Sequence, residues 1–314
     1  MLTDDSTGAG LPSAARARMA EIRDSGTWGS ALSTEEFAAI RGVGFEPVGQ
    51  VLGACVYNIG YTGGYGCAGG WSTGMFGGAV AAATQVSGQG GWASYGPLTK
   101  AMYDARRKAI GRMTAECAAL GGHGIVGVRL SFGSFPLGGL EFRAIGTAVR
   151  GVGAPAPPHP FSSDLSGQDF AKLIHAGWVP AGLALGISIG ARHDDWRTRG
   201  STFWGAGNTE VGGYTELVNM ARHDARVQLE ADVGRMGADG VVVSGVDMRV
   251  RERECPAREG TRDHIAEVTI IGTAVAQFTS PAVAAPPGSL AILSLDPQRR
   301  QVARVRLGGR AAPR

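Results

Sequence analysis

Residues 63–78, GGYGCAGGWSTGMFGG, contain two short patterns that mark cofactor or catalytic sites in other proteins. Residues 64–69 fit G-x-G-x-x-G, in which glycine lets the backbone of a dinucleotide-binding loop approach a pyrophosphate. Such a loop also needs an acidic residue about twenty positions further on to bind the ribose. No Asp, Glu, Lys, Arg or His occurs in residues 47–99, so the sequence argues against a dinucleotide site.

The same segment places Ser72 in a G-x-S-x-G pattern, as found at the nucleophile of serine hydrolases. A catalytic triad would also need an acid and a histidine, for which His175 and His264 are available downstream. Glycines precede Ser72, however, where a hydrolase has a buried apolar strand, and glycine-rich segments match this pattern by chance. A serine hydrolase using Ser72 is therefore only the second alternative function, and no catalytic residue is assigned.

Metal-ligating side chains cluster once, at His193, Asp194 and Asp195, and His223 could join them from a helix. Arginines at positions 192, 197 and 199 flank the cluster and are natural ion-pair partners for the same carboxylates. The sequence favours an ion-paired loop over a metal site. No cofactor is assigned, and a divalent metal stays an alternative.

Composition predicts a folded protein, since the 314 residues are 44% hydrophobic and 18% charged. The four cysteines are scattered without C-x-x-C pairing, which favours buried free thiols over disulfides or zinc.

The charge distribution excludes several classes of partner. Net charge is only +3, and the arginines that follow Asp296 have no aromatic residues between them, which argues against nucleic acid. The first residues are acidic and lack an apolar run, so we expect a cytoplasmic protein. Residues 47–99, which carry no charged side chain, are too rich in glycine for a membrane-spanning helix.

Two blocks of the sequence repeat the same residue types at the same spacing. The matched positions are Phe37, Gly44, Phe45, Pro47, Gly49 and Gly53 in the first block, and Phe170, Gly177, Trp178, Pro180, Gly182 and Gly186 in the second. Both blocks end in IGTAV, at residues 145–149 and 271–275. This self-similarity predicts two copies of one domain.

The repeat lets each element be predicted twice. Ser33 with Glu36, and Ser166 with Asp169, indicate the start of a short helix in each block. An apolar strand follows, then a long helix ending at Gly121 or Gly237, then two antiparallel strands. The predicted fold class is α+β, with two tandem copies of a small domain of about three strands and one principal helix plus a short N-terminal helix.

Proline-rich stretches divide the chain. We expect an N-terminal lead (1–32), the first block (33–150), a proline-rich linker (151–165), the second block (166–278), a second linker (279–288) and a basic tail or hairpin (289–314).

Several of the repeated motifs resemble those of the YbjQ-like family of domains with a heavy-metal-binding label. The motifs are GQVLG at residues 49–53, GGY at 212–214, AR-x-x-A at 221–225, GADGVV at 237–242 and the closing GTAV. The resemblance implies small α+β subunits in pentameric rings, but no ligand set can be mapped onto this sequence. Because five is odd, two-domain chains cannot fill one ring, so we expect five chains in two stacked rings or a changed symmetry.

The glycine-rich insertion of the first block carries no charged side chain. The equivalent loop of the second block is polar and has ordinary charge. We expect the insertion to pack between chains or at a ring axis, with Trp71, Phe76 and Trp92 as anchors. Arg106 and Arg222 occupy matched places on the two long helices. For them a structural ion pair, within or between subunits, is preferred over anion binding.

The tail from Ser289 to Leu295 resembles the short docking peptides by which cargo enters encapsulin shells. A terminal hairpin is the favoured interpretation, so a shell is the less favoured partner.

These observations predict a non-enzymatic, self-assembling, ring-forming protein. The alternative is an oligomer that binds a metal ion or small ligand between its subunits.

Overall fold

The structure is a computed structural model that describes residues 11–26, 29–58, 92–135, 139–203, 205, 207–254, 260 and 262–278. Contacts divide the chain into a compact unit, Met1–Phe278, and a second unit, Thr279–Arg314, which lies outside the described residues. The described part is mixed α+β, with helices and two sheets whose strands are mainly antiparallel. Among its helices, none is long and apolar enough to span a membrane.

The helices in the described part differ in length and in what they cover. They are α1 (Ser13–Ser25), α2 (Thr34–Gly42), α3 (Gly96–Ala119), α4 (Gly167–His175), α5 (Trp196–Thr202) and α6 (Gly212–Arg235). The long helices α3 and α6 each pack on a sheet, and the short helices α2 and α4 pack on each other.

The strands form two sheets. They are β1 (Phe45–Asn58), β2 (Trp92–Ser94), β3 (Gly124–Phe135), β4 (Gly139–Gly151), β5 (Phe161–Ser162), β6 (Trp178–His193), β7 (Gly240–Glu254) and β8 (Arg262–Gln277). The first sheet has the order β1-β4-β3-β5 and the second β2-β6-β8-β7. Each sheet therefore has three long strands, as expected, and a short fourth strand that the sequence did not indicate.

Register irregularities fall at matched places, or within one residue of them, in the two sheets. Strand β1 shifts against β4 between Pro47 and Gly49, and β6 shifts against β8 between Pro180 and Gly182. The second irregularity of each sheet follows Val126 in β3 and Val243 in β7. Proline lacks an amide hydrogen for the ladder, which explains why strand pairing is interrupted beside it.

Predicted helix boundaries are confirmed by the local hydrogen bonds. Ser33 and Glu36 form a capping box at α2, and the Ser166 side chain accepts a hydrogen bond from the Asp169 amide at α4. Helices α3 and α6 are followed by glycines with left-handed φ, 72° at Gly121 and 64° at Gly237.

The repeated glycines Gly53 and Gly186 mark where a long helix touches a strand. A Cβ atom at Gly53 would lie 1.9 Å from the Ala109 carbonyl oxygen, and one at Gly186 would lie 2.1 Å from the Ala225 carbonyl oxygen. Only glycine permits this approach. The helices therefore sit at matched positions on the two sheets, each over an apolar core cluster.

Helices α1 and α5 were not predicted. Helix α5 begins where a polar loop was expected, because Asp195 is its N-cap and its Oδ1 accepts a hydrogen bond from the Thr198 amide at 2.7 Å. Helix α1 lies in the stretch expected to be a lead, and Arg18 on it forms an ion pair with buried Glu116.

Candidate assembly surface

The two blocks are joined by strand addition. Strand β5 precedes α4 of the second block and lies parallel to β3 of the first, pairing Gly124 with Phe161 and Ile125 with Ser162. The pairing continues as backbone hydrogen bonds: the Ser163 amide donates to the Ile125 carbonyl at 2.8 Å, and the Val128 amide donates to the Ser163 carbonyl at 2.9 Å. A segment of one block thus covers the edge strand of the other.

An apolar cluster seals this junction. Ile40, Val126, Val149 and Phe170 are all fully buried within it. The rings of Phe161 and Phe170 stack with centroids 5.7 Å apart. These two aromatic side chains pack against Val126 and Val149 of the first block in the same cluster. Burial of these side chains makes the junction part of the hydrophobic core of the chain.

A second crossing runs in the opposite direction. Strand β2, from the first block, pairs with the end of β6 in the second, and Tyr95 beside it is fully buried. On α3, the Tyr103 hydroxyl accepts a hydrogen bond from the Ile187 amide at 2.7 Å. Arg107 on the same helix pairs with Asp232 of the second block at 3.2 Å.

Residues 161–165, which cover the edge of β3, are anchored to their own block by a threonine. The Thr273 hydroxyl, in IGTAV of β8, accepts a hydrogen bond from the Asp164 amide at 3.1 Å and contacts the Ser163 hydroxyl at 3.0 Å. The Leu165 amide then donates to the Ser163 hydroxyl at 3.2 Å.

The first block contains the same anchor. The Thr147 hydroxyl, in IGTAV of β4, accepts a hydrogen bond from the Ala31 amide at 3.2 Å and contacts the Ser30 hydroxyl at 3.4 Å. The Leu32 amide donates to the Ser30 hydroxyl at 3.1 Å. Residues 29–32 are therefore held before α2 as residues 162–165 are held before α4, and we call residues 29–32 the leading segment.

Positions that the junction covers in one block are open in the other. Val126 in β3 is 0% exposed, whereas Val242 at the matched place in β7 is 40% exposed. Ile189 in β6 is 2% exposed, whereas Val56 at the matched place in β1 is 50% exposed. Strand β7 also exposes Val243 and Val246, which makes its first half, residues 240–246, an apolar edge, whereas charged side chains predominate from Asp247 onward.

Arg106 lies in a cleft shared by both blocks. The cleft has a volume of about 310 Å³ and is lined by Arg106, Phe132 and Phe142 from the first block and by Asp247 and Arg249 from the second, among others. Arg106 is 5% exposed, and its guanidinium lies 5.6 Å from the Phe132 ring centre and 5.2 Å from that of Phe142. Burial lowers its pKa to about 10.

The ion pair expected for Arg106 is not found within the described part of the chain. Its recorded hydrogen bond goes to the Met102 carbonyl oxygen at 3.4 Å. In an adjoining small cavity, the buried Ser188 hydroxyl has no hydrogen-bond partner among the described residues. Arg222, the matched arginine on α6, is solvent-exposed. An ion pair of either arginine with another subunit stays a prediction.

Three of the four metal candidates, His193, Asp194 and Asp195, each have a separate structural partner. His193 Nδ1 lies 2.6 Å from Asp263 Oδ1, and Asp194 Oδ1 lies 3.1 Å from His264 Nδ1. Asp195 caps α5, and His223 is exposed on α6. Across the residues that the structure describes, no three His, Cys, Asp or Glu side chains are grouped so as to hold a metal ion.

His264 belongs to a compact polar group with Tyr214 and Asp194. Its ring packs against Tyr214 with centroids 4.2 Å apart, and the Tyr214 hydroxyl donates to Asp194 Oδ2 at 3.3 Å. Burial, followed by the nearby Asp194 charge, raises the pKa of Tyr214 to about 12. Tyr214 therefore stays a hydrogen-bond donor at neutral pH, which suits a structural link between α6 and β8.

Other expected sites lie outside the described residues: Trp71, Ser72, Phe76 and the tail from Ser289 to Leu295. Trp92 lies in β2, so its backbone pairs with Arg192 of the same chain. Its role between chains stays a prediction.

Sequence reasoning missed the anchors, Thr147 and Thr273, and Tyr103 at the block boundary. A signal for the anchors exists: S-x-L-S occurs at residues 30–33 and again at residues 163–166, with the spacing of the repeat. Tyr103 has no such signal, since Asn219 occupies the matched position of the second block.

Comparison with known proteins adds two kinds of similarity. The model of the YbjQ_1 family, described as "putative heavy-metal-binding", matches residues 72–151. The encapsulin nanocompartment protein Rv1762c of Mycobacterium tuberculosis is 35% identical over 225 residues, which cover 68% of this chain and 75% of that protein.

Two shorter matches are UPF0145 proteins. The one from Halorubrum lacusprofundi is 46% identical over 52 residues, which cover 17% of this chain and 50% of that protein. The one from Clostridium perfringens is 45% identical over 51 residues, which cover 16% of this chain and 48% of that protein. No solved structure matches the chain.

Proposed function

We propose that this chain, which belongs to the family of the mycobacterial encapsulin nanocompartment protein and matches the YbjQ-like family at residues 72–151, is a non-enzymatic protein that assembles with copies of itself. The name of that relative refers to an assembled particle, which supports a role in assembly for this chain.

The open edge of β7 is the observation that carries the proposal. Val242, Val243 and Val246 are exposed along the first half of this strand, while the matched edge β3 is covered from within the chain. An apolar edge strand pairs readily with another chain, and monomeric proteins usually protect such edges. Assembly would cover it.

Two tandem copies of one domain are the basis of this assembly. Matched irregularities in the sheets, matched helix–strand contacts at Gly53 and Gly186, and matched threonine anchors support a duplicated domain. A domain that contacts its copy within the chain presents the same contact surfaces to other chains. Closure of the assembly into a ring is part of this proposal.

Size-exclusion chromatography with light scattering tests self-assembly directly. The full chain should elute with a mass that is a multiple of the chain mass over a range of concentrations. A monomer at the highest concentration reached would contradict the proposal.

Ligand binding is the second candidate function, favoured by the cleft around Arg106. A buried guanidinium beside two aromatic rings, with no carboxylate ion pair in the described part of the chain, is suited to bind a small anion. A metal site at His193 is the other form of this candidate. Elemental analysis of protein purified without chelator tests it: stoichiometric metal that is lost in His193→Ala would support the metal.

Association with a shell is a further proposed partnership. The segment from Ser289 to Leu295 resembles a cargo docking peptide, and the homologue is named for an encapsulin compartment. Deletion of residues 289–314 separates two roles for the tail. If self-assembly survives but co-purification with an encapsulin shell is lost, the segment is a docking peptide.

A further inference from the structure

We propose that the junction between the two blocks is repeated between chains: the leading segment of one chain adds to the β7 edge of a second copy, as β5 adds to β3 within the chain. This inference rests on the proposed self-assembly and specifies its contact. It assigns a named segment of this chain as the occupant of the open edge. The interface is head-to-tail, with different surfaces meeting.

The accepting edge has the geometry that the junction requires. In β3, the residues that receive β5 pair with β4 from Gly124 opposite Val149 to Val126 opposite Thr147. In β7, the pairing with β8 runs from Gly240 opposite Val275 to Val242 opposite Thr273. Both edges stand in the same register to IGTAV up to Val126 and Val242, and the register breaks directly after Val126 in β3 and one residue later, after Val243, in β7. The backbone positions of β7 that match those receiving β5 are therefore Val241, Val243 and Ser244.

The donating segment is already in place on the first block. Thr147 holds Ser30 and Ala31 as Thr273 holds Ser163 and Asp164, so the leading segment has the side-chain anchoring of the segment that follows β5. Within the chain, Ser163 exchanges backbone hydrogen bonds with Ile125 and Val128. Between chains, Ser30 would exchange them with Val241 and Ser244.

The donating and the accepting surfaces each have an apolar side chain that is only half-buried within the single chain. Phe170 on α4 is buried in the junction, whereas Phe37, at the matched place on α2, is only half-buried. Ile40 on α2 is buried there, whereas Leu173, at the matched place on α4, is half-buried. Phe37 of one chain would therefore pack against Val242 and Leu173 of the next.

The proposal changes the expected symmetry. First and second blocks would alternate along one ring or helix, because the contact within a chain and the contact between chains are the same. Two stacked rings, each built from one kind of block, would instead leave the β7 edge without a leading segment. If the alternating arrangement closes into a ring, each chain contributes two blocks, so the number of blocks in the ring is even.

Disulfide trapping tests the contact in the full chain. Gly29 and Val241 match Ser162 and Ile125, which are direct partners in the β5–β3 pairing. In a background lacking Cys67 and Cys255, the double variant Gly29→Cys, Val241→Cys should form a ladder of chain-to-chain disulfides on mild oxidation. The matched control, Ile125→Cys with Ser162→Cys, should form a disulfide within one chain and no ladder.

Point variants test it without cysteine. Val242→Asp would place an unpaired carboxylate in the contact and should weaken association about a hundredfold or more. Val250→Asp, on the same strand but beyond the part that β5 covers in β3, should leave the mass unchanged. Both valines are largely exposed in the single chain, so neither change should unfold it.

Mixing two defective variants establishes the head-to-tail arrangement. Val242→Asp keeps an intact leading segment, and Phe37→Asp keeps an intact β7 edge, so each alone should be monomeric and a mixture should form dimers. A two-fold symmetric contact would give no such rescue. If the wild type assembles while Val242→Asp keeps its mass and no ladder forms, this inference is wrong and self-assembly stands; a monomeric wild type overturns both.

Discussion

Tyr103 and Ile187 are joined across the boundary between the blocks, because the Tyr103 hydroxyl accepts a hydrogen bond from the Ile187 amide at 2.7 Å. The same hydroxyl donates to the Leu185 carbonyl at 3.3 Å. Burial raises the pKa of Tyr103 to about 12, so the hydroxyl keeps its proton throughout the neutral range. One side chain of α3 thus satisfies two backbone groups of β6.

Tyr103→Phe should lower the free energy of unfolding by about 1–3 kcal/mol, because it leaves the buried Ile187 amide without an acceptor. Urea denaturation checks this. Tyr57→Phe is the control, since no hydrogen bond of that hydroxyl is found within the described residues, and it should change stability by less than about 0.5 kcal/mol. Equal effects of the two changes would count against a structural role for the Tyr103 hydroxyl.

Gly186→Ala should destabilise the chain by about 3 kcal/mol or more, because the added methyl would lie 2.1 Å from the Ala225 carbonyl oxygen and force α6 off β6. Gly245→Ala is the matched control on β7, where nothing lies within 4 Å of an added Cβ. Thermal unfolding followed by circular dichroism distinguishes them. A Gly186→Ala variant as stable as the wild type would mean that the helix does not touch the strand at this point.

Acid should weaken the contact between α2 and α4 through Glu36. Its carboxylate accepts hydrogen bonds from the Ser33 amide at 2.7 Å and the Gly167 amide at 3.1 Å. The Ser33 bond, with help from Gly167, lowers the pKa of Glu36 below its ordinary value of 4.5. A lowered pKa means that the contribution to stability is present above the unfolded-state pKa and is lost as pH falls through the folded-state pKa.

We therefore expect Glu36→Gln to lower the melting temperature at pH 7 and to match the wild type at a pH well below 4.5. Melting curves across that range measure the convergence. Glu21→Gln is the control, because Glu21 is exposed on α1. A constant difference at every pH would show that the effect does not come from the charge.

Arg106→Leu should leave the chain as stable as the wild type or more stable when no anion is present, because it removes a buried cation with little compensation. Phosphate or sulfate should raise the melting temperature of the wild type and not of this variant. At a hundred times the dissociation constant, the stabilisation would be about 2.7 kcal/mol. Arg222→Leu, at the exposed matched position, should respond to anions as the wild type does; identical responses of all three proteins would rule out the cleft as an anion site.

Much of the fold follows from local signals in the sequence. The Ser33–Glu36 capping box, Gly121 and Gly237 after the long helices, and the order of strands in each block depend on neighbouring residues and on the repeat. The same signals occur at matched positions of both blocks, and an accidental pattern seldom recurs in this way.

The junction could not be predicted in this way. Strand β5 is two residues long and lies in a stretch that proline content marks as a linker, and its partner β3 is remote in sequence. Asp195 shows a different limit: its carboxylate suits an ion pair, a metal ligand or, with Thr198 three residues later, a helix cap, and residue type alone does not distinguish these roles. Capping explains its place in the structure.

The hydrogen bonds between Thr147 and the leading segment have a consequence for the entropy of association. Ordering one residue of backbone costs about 1–2 kcal/mol, and a loose segment would incur that cost each time two chains meet. Here the cost is met when the first block folds, since Thr147 and Ser30 hold the segment in place. Loss of the Thr147 hydroxyl would consequently raise the concentration at which chains associate, even with every residue at the contact unchanged.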